Sequence, residues 1–367
     1  MQLCHGDGQP RWDSPPPLLR RGALLCAALC ALSARAGAAG ARLAYLSCDY
    51  PACDLVVLSA LDLATNASSA LWSLPSGRFD DEYTGNSLLA DDSTLVLSLQ
   101  FDAAAGQGAL QNFDLRASRP AGAALNVSSC VVLLLDPADP AHARLFCLRI
   151  VQGGPVGEET ELRHIDRLTG ADVLVATLFP RHSTFGEAAL VGGLLYVPMA
   201  PLDGNGAFFI AAIDPATGKI VAQNATLNFT PVGLESEAAA GGAGGAAAPP
   251  PTALSVVRVT GANGQDPRAY LARVNLVTAV ATQVGKVEFN LTKWTQLNPI
   301  VALDSAAGIF YLTAFEGAAG NALHLLGLST ADGAIVYDLV VRNPFCDLVL
   351  LPPAVTAMNA PPTVTVD

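Results

Sequence analysis

One stretch decides the fold: Ala211-Ala212-Ile213-Asp214-Pro215-Ala216-Thr217-Gly218-Lys219-Ile220-Val221. Apolar residues flank a turn in which the Asp214 side chain can cap backbone amides and Gly218 can adopt a positive φ. The pattern predicts a β-hairpin. Related copies occupy residues 61–66, 164–170 and 328–333. Because turn chemistry accounts for the aspartates in these copies, we assign them a structural role and not a catalytic one.

Two apolar, strand-like segments precede the hairpin and recur along the chain. We name the first segment of each unit the A strand and the second the B strand, and the hairpin supplies strands C and D. A strands begin at residues 84, 128, 185, 230, 298 and 343, and B strands cover residues 95–99, 144–150, 194–199, 255–259 and 309–315. A period of about 40 to 50 residues is typical of propellers and solenoids.

Two of these segments lack a partner in their own half of the sequence. Residues 43–46 resemble a B strand with no A strand before it, whereas residues 345–351 resemble an A strand with nothing after it. Pairing them would close a ring and remove its sheet edges. The sequence therefore predicts an all-β fold, a six-bladed β-propeller of four-stranded antiparallel blades. Seven blades would follow only if residues 353–367 formed strands, and the Pro pairs there favour a loose C-terminal tail.

Composition excludes several classes of protein. Hydrophobic residues make up 51% of the chain and charged residues only 14%, which is unlike a disordered protein. After residue 42 no apolar run approaches the ~18 residues that a membrane span requires, so we expect no span in the mature chain. The net charge of −12 makes nucleic acid and anionic membrane surfaces unsuitable partners.

The N-terminal segment predicts export. Arg20 and Arg21 precede the apolar residues 22–32, and small residues follow. This order is typical of a secretory signal peptide, here residues 1–41 with cleavage near residues 36–41; an uncleaved anchor is the alternative. A single propeller domain then covers residues 42–352, interrupted by a flexible Ala/Gly/Pro insertion at residues 238–251.

Five N-glycosylation sequons agree with a secreted, extracellular location. Each lies at the end of a unit, on or beside the strand expected to be outermost in its blade, where a glycan can be accommodated. The acceptor residues are Asn66, Asn126, Asn224, Asn228 and Asn290.

Five cysteines remain after the predicted leader is removed, and an exported chain can oxidise them. Cys130 and Cys147 flank a turn between an A and a B strand, which favours a cross-strand disulfide. Cys48 and Cys346 lie on the two strands expected to close the ring, although Cys48 with Cys53 is a rival pairing. No CxxC motif or histidine spacing indicates a zinc site, and we expect no metal.

Function is expected on one face of the propeller. Loops that lead into the A strands and loops between the middle strands gather there around the channel, and such loops commonly carry binding sites. The acidic cluster of residues 80–82 could supply paired carboxylates for glycoside chemistry. The candidate binding residues are Arg78, Asp80, Asp81, Glu82, Tyr83, Arg181, His182, Lys293, Trp294, Arg342 and Asn343.

The segment Ala212-x-Asp214-x-x-Thr217-Gly218-Lys219 resembles the repeat motif of the quinoprotein-like propellers, which include the pyrroloquinoline quinone dehydrogenases. The resemblance implies kinship of fold across residues 42–352. In that family a Trp closes the motif, and Ala222 holds the position here. We expect no cofactor.

The sequence thus predicts a secreted glycoprotein that acts as an extracellular binding or scaffolding module, with a protein or glycan ligand. The alternative is a carbohydrate-active hydrolase or lyase, or less favourably a quinone-dependent oxidoreductase, with its site at the propeller mouth. Exposed Tyr83 and Trp294 rings on a shallow rim would indicate the binding module. A pocket that gathers residues 80–82, Arg181 and His182, with shifted pKa values, would indicate the enzyme.

Overall fold

The computed structural model describes most of the chain as six antiparallel sheets arranged as the blades of a propeller. The described residues are 41–48, 55–75, 86–102, 107–154, 157–178, 182–184, 188–201, 208–223, 227, 229–237, 250–259, 268–291, 293–317, 322–341 and 345–352.

Strands are numbered along the chain, and blades are numbered from the N-terminus. Blade one contains β1 (Arg42–Cys48), β2 (Leu55–Asp62) and β3 (Ala67–Pro75). Blade two contains β4 (Asn86–Asp91), β5 (Thr94–Asp102), β6 (Gln107–Asp114), β7 (Arg119–Pro120) and β8 (Leu125–Ser128), the last two both pairing with β6. Blade three contains β9 (Val132–Leu135), β10 (Arg144–Gly154), β11 (Gly157–Asp166) and β12 (Asp172–Thr177).

The other three blades follow the same order. Blade four contains β13 (His182–Thr184), β14 (Ala189–Val191), β15 (Leu194–Pro201), β16 (Phe209–Ile213) and β17 (Ile220–Gln223), with β13 and β14 both on β15. Blade five contains β18 (Thr230–Ser236), β19 (Thr252–Val259), β20 (Arg268–Asn275) and β21 (Val280–Gln283). Blade six contains β22 (Trp294–Asp304), β23 (Ile309–Glu316), β24 (Ala322–Ser329) and β25 (Ile335–Val341).

The last strand, β26 (Phe345–Leu351), closes the ring. It pairs antiparallel with β1, so that Arg42 lies opposite Leu351 and Tyr45 opposite Leu348. The sheet order of blade one is therefore β26-β1-β2-β3, with its inner strand supplied by the C-terminus. The predicted six-bladed architecture and its closure are confirmed. The predicted insertion at residues 238–251 falls between β18 and β19, and because residues 238–249 lie outside the described part of the chain, its flexibility stays a prediction.

The C–D turns repeat the same chemistry in all six blades. A side-chain oxygen at the first position accepts a backbone N–H two residues later, as in Asp62 to Ala64 (3.0 Å). The fifth residue then has a positive φ, for example 69° at Gly218. The capping residues are Asp62, Asp114, Asp166, Asp214, Asn275 and Ser329. The predicted structural role of the aspartates is confirmed, and the turns at Asp114 and Asn275 are two further copies that the sequence pattern missed.

Apolar side chains fill the space between neighbouring blades. Between blades five and six the buried cluster includes Val256, Leu271, Phe289, Trp294 and Phe310. Each blade is thus covered on both faces, which explains why its middle strands are almost continuously apolar.

One predicted disulfide is confirmed. Cys130 and Cys147 are bonded, with 5.4 Å between their Cα atoms, and the bond joins the segment before β9 to β10. The backbone register brings Ser47 of β1 opposite Phe345 of β26. The side chains of Cys48 and Cys346, and all of Cys53, lie outside the described residues, so their pairing stays a prediction.

Candidate functional site

Most residues of the predicted ligand face lie outside the described part of the chain. This group comprises Arg78, Asp80, Asp81, Glu82, Tyr83, Arg181, Arg342 and Asn343. Their contribution to a site stays a prediction. Three candidates are described: His182, Lys293 and Trp294.

Trp294 does not present its ring to solvent. It begins β22 and is only 3% exposed, because the indole packs in the core between blades five and six. Lys293 Nζ lies 4.3 Å from the centre of that ring, a cation–π contact. The expectation that Trp294 forms an exposed binding rim is therefore wrong.

A buried histidine, His324, also contacts Trp294. The His324 ring meets the indole edge-on, with 4.9 Å between ring centres. Its Nδ1 lies 2.6 Å from Asp338 Oδ1 and its Nε2 lies 3.0 Å from Glu316 Oε2, so both nitrogens have partners. Because both His324 nitrogens are engaged by carboxylates and the ring contacts the indole, we assign this group a role in fixing Trp294.

His182 lies on β13 in blade four, opposite Pro201. Its ring is 5.4 Å from that of Phe209, which is edge-on to it, and its carbonyl accepts a hydrogen bond from Thr160 (3.3 Å). Trp294 and His182 therefore belong to different blades, and in the described residues each is engaged by its own surroundings.

The central channel of the ring is a concave site. Its volume is about 420 Å³, and the innermost strands of all six blades line it. Most of the wall is apolar, formed by residues such as Leu88, Val132, Leu190 and Leu303. A largely apolar cavity of this size with a few polar groups is the usual form of a ligand site.

Asp347 is the buried polar group of this channel. It lies on β26 and is 6% exposed. Burial raises its pKa to about 6, although hydrogen bonds from Ser87 and the backbone N–H of Leu348 act in the opposite direction. Its Oδ2 atom is fully buried and has no hydrogen-bond partner among the described residues. An unpartnered buried carboxylate oxygen is unfavourable, so Asp347 is the candidate ligand-binding group of this channel.

Glu235 is the second carboxyl group on the channel wall. It lies on β18 of blade five, directly after Leu234. Burial and, next, the negative charge of Asp347 raise the pKa of Glu235 to about 8. Two carboxyl groups that oppose each other's ionisation are a common feature of functional sites.

Sequence reasoning missed both carboxyl groups, although a signal was present. Asp347 is the single charged residue of the apolar strand of residues 345–351, and Glu235 follows the apolar run 231–234. An acid in a strand that is apolar on both faces has to point either into a core or into a cavity. Only the closed ring shows that both residues line the same channel.

Metal-binding clusters and membrane-spanning helices are both absent from the described residues. No cluster of three or more His, Cys, Asp or Glu side chains there could hold a metal ion. In the same residues no helix is long and apolar enough to cross a membrane.

The three described sequon asparagines are all solvent-exposed. They are Asn66, which precedes β3, Asn126 on β8, and Asn290, which follows β21. The Tyr337 hydroxyl donates to Asn66 Oδ1 (2.7 Å). Asn224 and Asn228 lie outside the described residues.

No family model and no curated protein matches this sequence. Solved structures do match. The periplasmic gluconolactonase of Pseudomonas aeruginosa has a TM-score of 0.50 at 12% identity, covering 85% of this chain and 99% of that one. An oligogalacturonate lyase in complex with manganese has a TM-score of 0.43 at 13% identity, covering 76% and 69%.

A putative oxidoreductase (glucose dehydrogenase) from Thermus thermophilus has a TM-score of 0.41 at 17% identity, covering 72% of this chain and 84% of that one. At identities this low the likeness extends to the fold alone, and the fold does not fix the activity. The protein is a six-bladed β-propeller whose channel carries two carboxyl groups.

Replacing Asp347 with Asn should make stability less dependent on pH. The folded-state pKa of Asp347 lies above its unfolded value, so this group stabilises the fold at low pH and loses that contribution as pH rises from about 4 through about 6. The asparagine side chain cannot ionise, so the free energy of unfolding of the variant should equal that of the wild type near pH 4 and exceed it by about 3 kcal/mol near pH 8. Urea unfolding at both pH values measures this. If the free energy of unfolding depends on pH equally in the two proteins, the raised pKa of Asp347 is contradicted.

Proposed function

We propose that this protein is a secreted glycoprotein that acts as an extracellular binding module, and that its ligand enters the central channel. The observation that carries the proposal is the buried, unpartnered Oδ2 of Asp347, a residue that lines a cavity of about 420 Å³. A ligand that donates a hydrogen bond there would satisfy an atom that the described residues leave without a partner.

Two features support export. The Cys130–Cys147 disulfide is typical of an oxidising compartment. Exposed Asn66, Asn126 and Asn290 can each accept a glycan without displacing core side chains.

A carbohydrate-active hydrolase or lyase is the second candidate, and the channel carboxyl pair favours it specifically. Glu235, with its raised pKa, would hold a proton at neutral pH and could donate it, whereas Asp347 would be largely ionised and could accept one. Paired carboxyl groups in different protonation states are what acid–base cleavage of a glycosidic bond requires.

The experiment has a secretion arm and a binding arm. The full chain is expressed in eukaryotic cells, and we expect it in the medium with a mass that falls after enzymatic removal of N-glycans. Purified protein is then applied to printed arrays of glycans and of peptides, beside Asp347→Asn and the matched control Asp332→Asn, which changes an exposed turn of blade six.

We expect wild type and Asp332→Asn to retain the same array members and Asp347→Asn to lose them. If the wild type binds no array member, or if all three proteins bind the same members, the proposal is contradicted. Chromatography of the bound glycans tests the second candidate. If the wild type cleaves a bound glycan and Glu235→Gln does not, the protein is an enzyme and not a binding module.

A further inference from the structure

We propose that the channel binds an aliphatic ammonium group, which Asp347 and Glu235 hold while its carbon chain lies against the apolar wall. The inference rests on the proposed function, because it specifies the ligand chemistry of that same channel.

Asp347 carries a buried acceptor atom that the described residues leave unsatisfied. The carboxylate of Asp347 receives hydrogen bonds from Ser87 and Leu348, yet Oδ2 lacks a partner in the described residues. An acceptor at this depth requires an N–H or O–H donor, and an ammonium group supplies three donors together with the opposite charge.

The charge of the Asp347–Glu235 pair also favours an ammonium ligand. The negative charge of Asp347 raises the pKa of Glu235 and so opposes ionisation of both groups together, which favours about one negative charge on the pair. One ammonium group neutralises that charge. A divalent cation would instead require both groups to ionise and more ligands to complete its shell, and the described residues offer no cluster of three metal-binding side chains.

The channel wall around the two carboxyl groups is largely apolar. The partly exposed apolar residues that line the cavity include Leu88, Leu190, Leu303, Val349 and Leu350. These side chains disfavour a hydrated inorganic cation but bury methylene groups, much as the stem of a lysine packs along apolar surface. At about 420 Å³ the cavity can hold a short alkyl chain. The acidic chain, with a net charge of −12, favours the approach of a cation.

Isothermal titration at neutral pH tests the inference with four probes. Pentylamine carries the ammonium group and the chain, and pentanol carries the same chain without the charge. Calcium chloride supplies the divalent cation, and Nα-acetyl-lysine methylamide presents the ammonium group as a protein would. The proteins are wild type, Asp347→Asn and Asp332→Asn.

We expect pentylamine to bind wild type and Asp332→Asn equally, and Asp347→Asn about tenfold or more weakly. Pentanol and calcium should bind more weakly than pentylamine. Tighter binding of the lysine derivative than of pentylamine would indicate a protein source of the ammonium group, and the reverse order a free amine. Either order supports the inference.

Absence of pentylamine binding, equal binding to Asp347→Asn, or tighter binding of calcium would overturn the inference. These failures are separable from failure of the proposed function. If an array ligand still depends on Asp347 while pentylamine does not bind, the channel remains the ligand site and only the ammonium chemistry is wrong.

Discussion

Deletion of residues 345–367 should abolish cooperative folding. The deletion removes β26, which supplies the inner strand of blade one and pairs with β1 from Arg42 to Ser47. Without it β1 has an open edge at the channel, and the cores on both sides lose Leu348 and Leu351, each 3% exposed. Strand edges left open in this way are sites of misassembly.

Thermal unfolding followed by circular dichroism measures this effect. We expect no sharp transition for the chain that ends at residue 344. The matched control ends at residue 352 and removes only the predicted tail, so it should unfold at the wild-type temperature. A cooperative transition at the wild-type temperature in the shorter chain would show that the ring does not depend on its C-terminal strand.

Gly285→Ala should be the most damaging of the single glycine substitutions. Gly285 has a φ of 65°, and an added Cβ would lie 2.1 Å from the carbonyl oxygen of Asp332 in the neighbouring blade. The obstacle is backbone, so it cannot move aside by a rotamer change. We expect a loss of about 3 kcal/mol or more, combining the cost of a left-handed residue with that of overpacking.

Gly122→Ala is the control that separates the two costs. Gly122 has a φ of 88° and no atom within 4 Å of the position that a Cβ would take. Its substitution should cost about 1–2 kcal/mol, from the backbone conformation alone. Urea unfolding of both variants gives the difference, and equal losses would contradict the close contact between blades five and six.

The propeller could be predicted because its signals are local. Apolar B strands and capped C–D turns follow each other at a regular spacing, and the unmatched segments at residues 43–46 and 345–351 implied closure. The turns at Asp114 and Asn275 escaped detection for a physical reason. Ser118 and Ala279 hold the position of positive φ that Gly or Asn holds elsewhere, so neither turn carries the expected residue.

The site was less predictable because it depends on how distant strands are oriented. Glu235 and Asp347 come from blades five and one and are brought together by the closed ring. Neither strand by itself shows which of its faces meets the channel. For Trp294 the sequence predicted exposure where the structure shows burial. Its polar, aromatic segment before an A strand suggested an exposed loop, whereas the indole ring belongs to the core between blades five and six.

The most direct test of the account is a carboxyl titration of the purified protein by carbon-13 nuclear magnetic resonance, with Asp347→Asn and Glu235→Gln used for assignment. We predict one aspartate that titrates near pH 6 and one glutamate that titrates near pH 8, and we expect the glutamate pKa to fall when Asp347 is replaced. If both residues titrate at their ordinary values, or if neither responds to replacement of the other, the two groups do not share a buried channel site and the proposed ligand site is wrong.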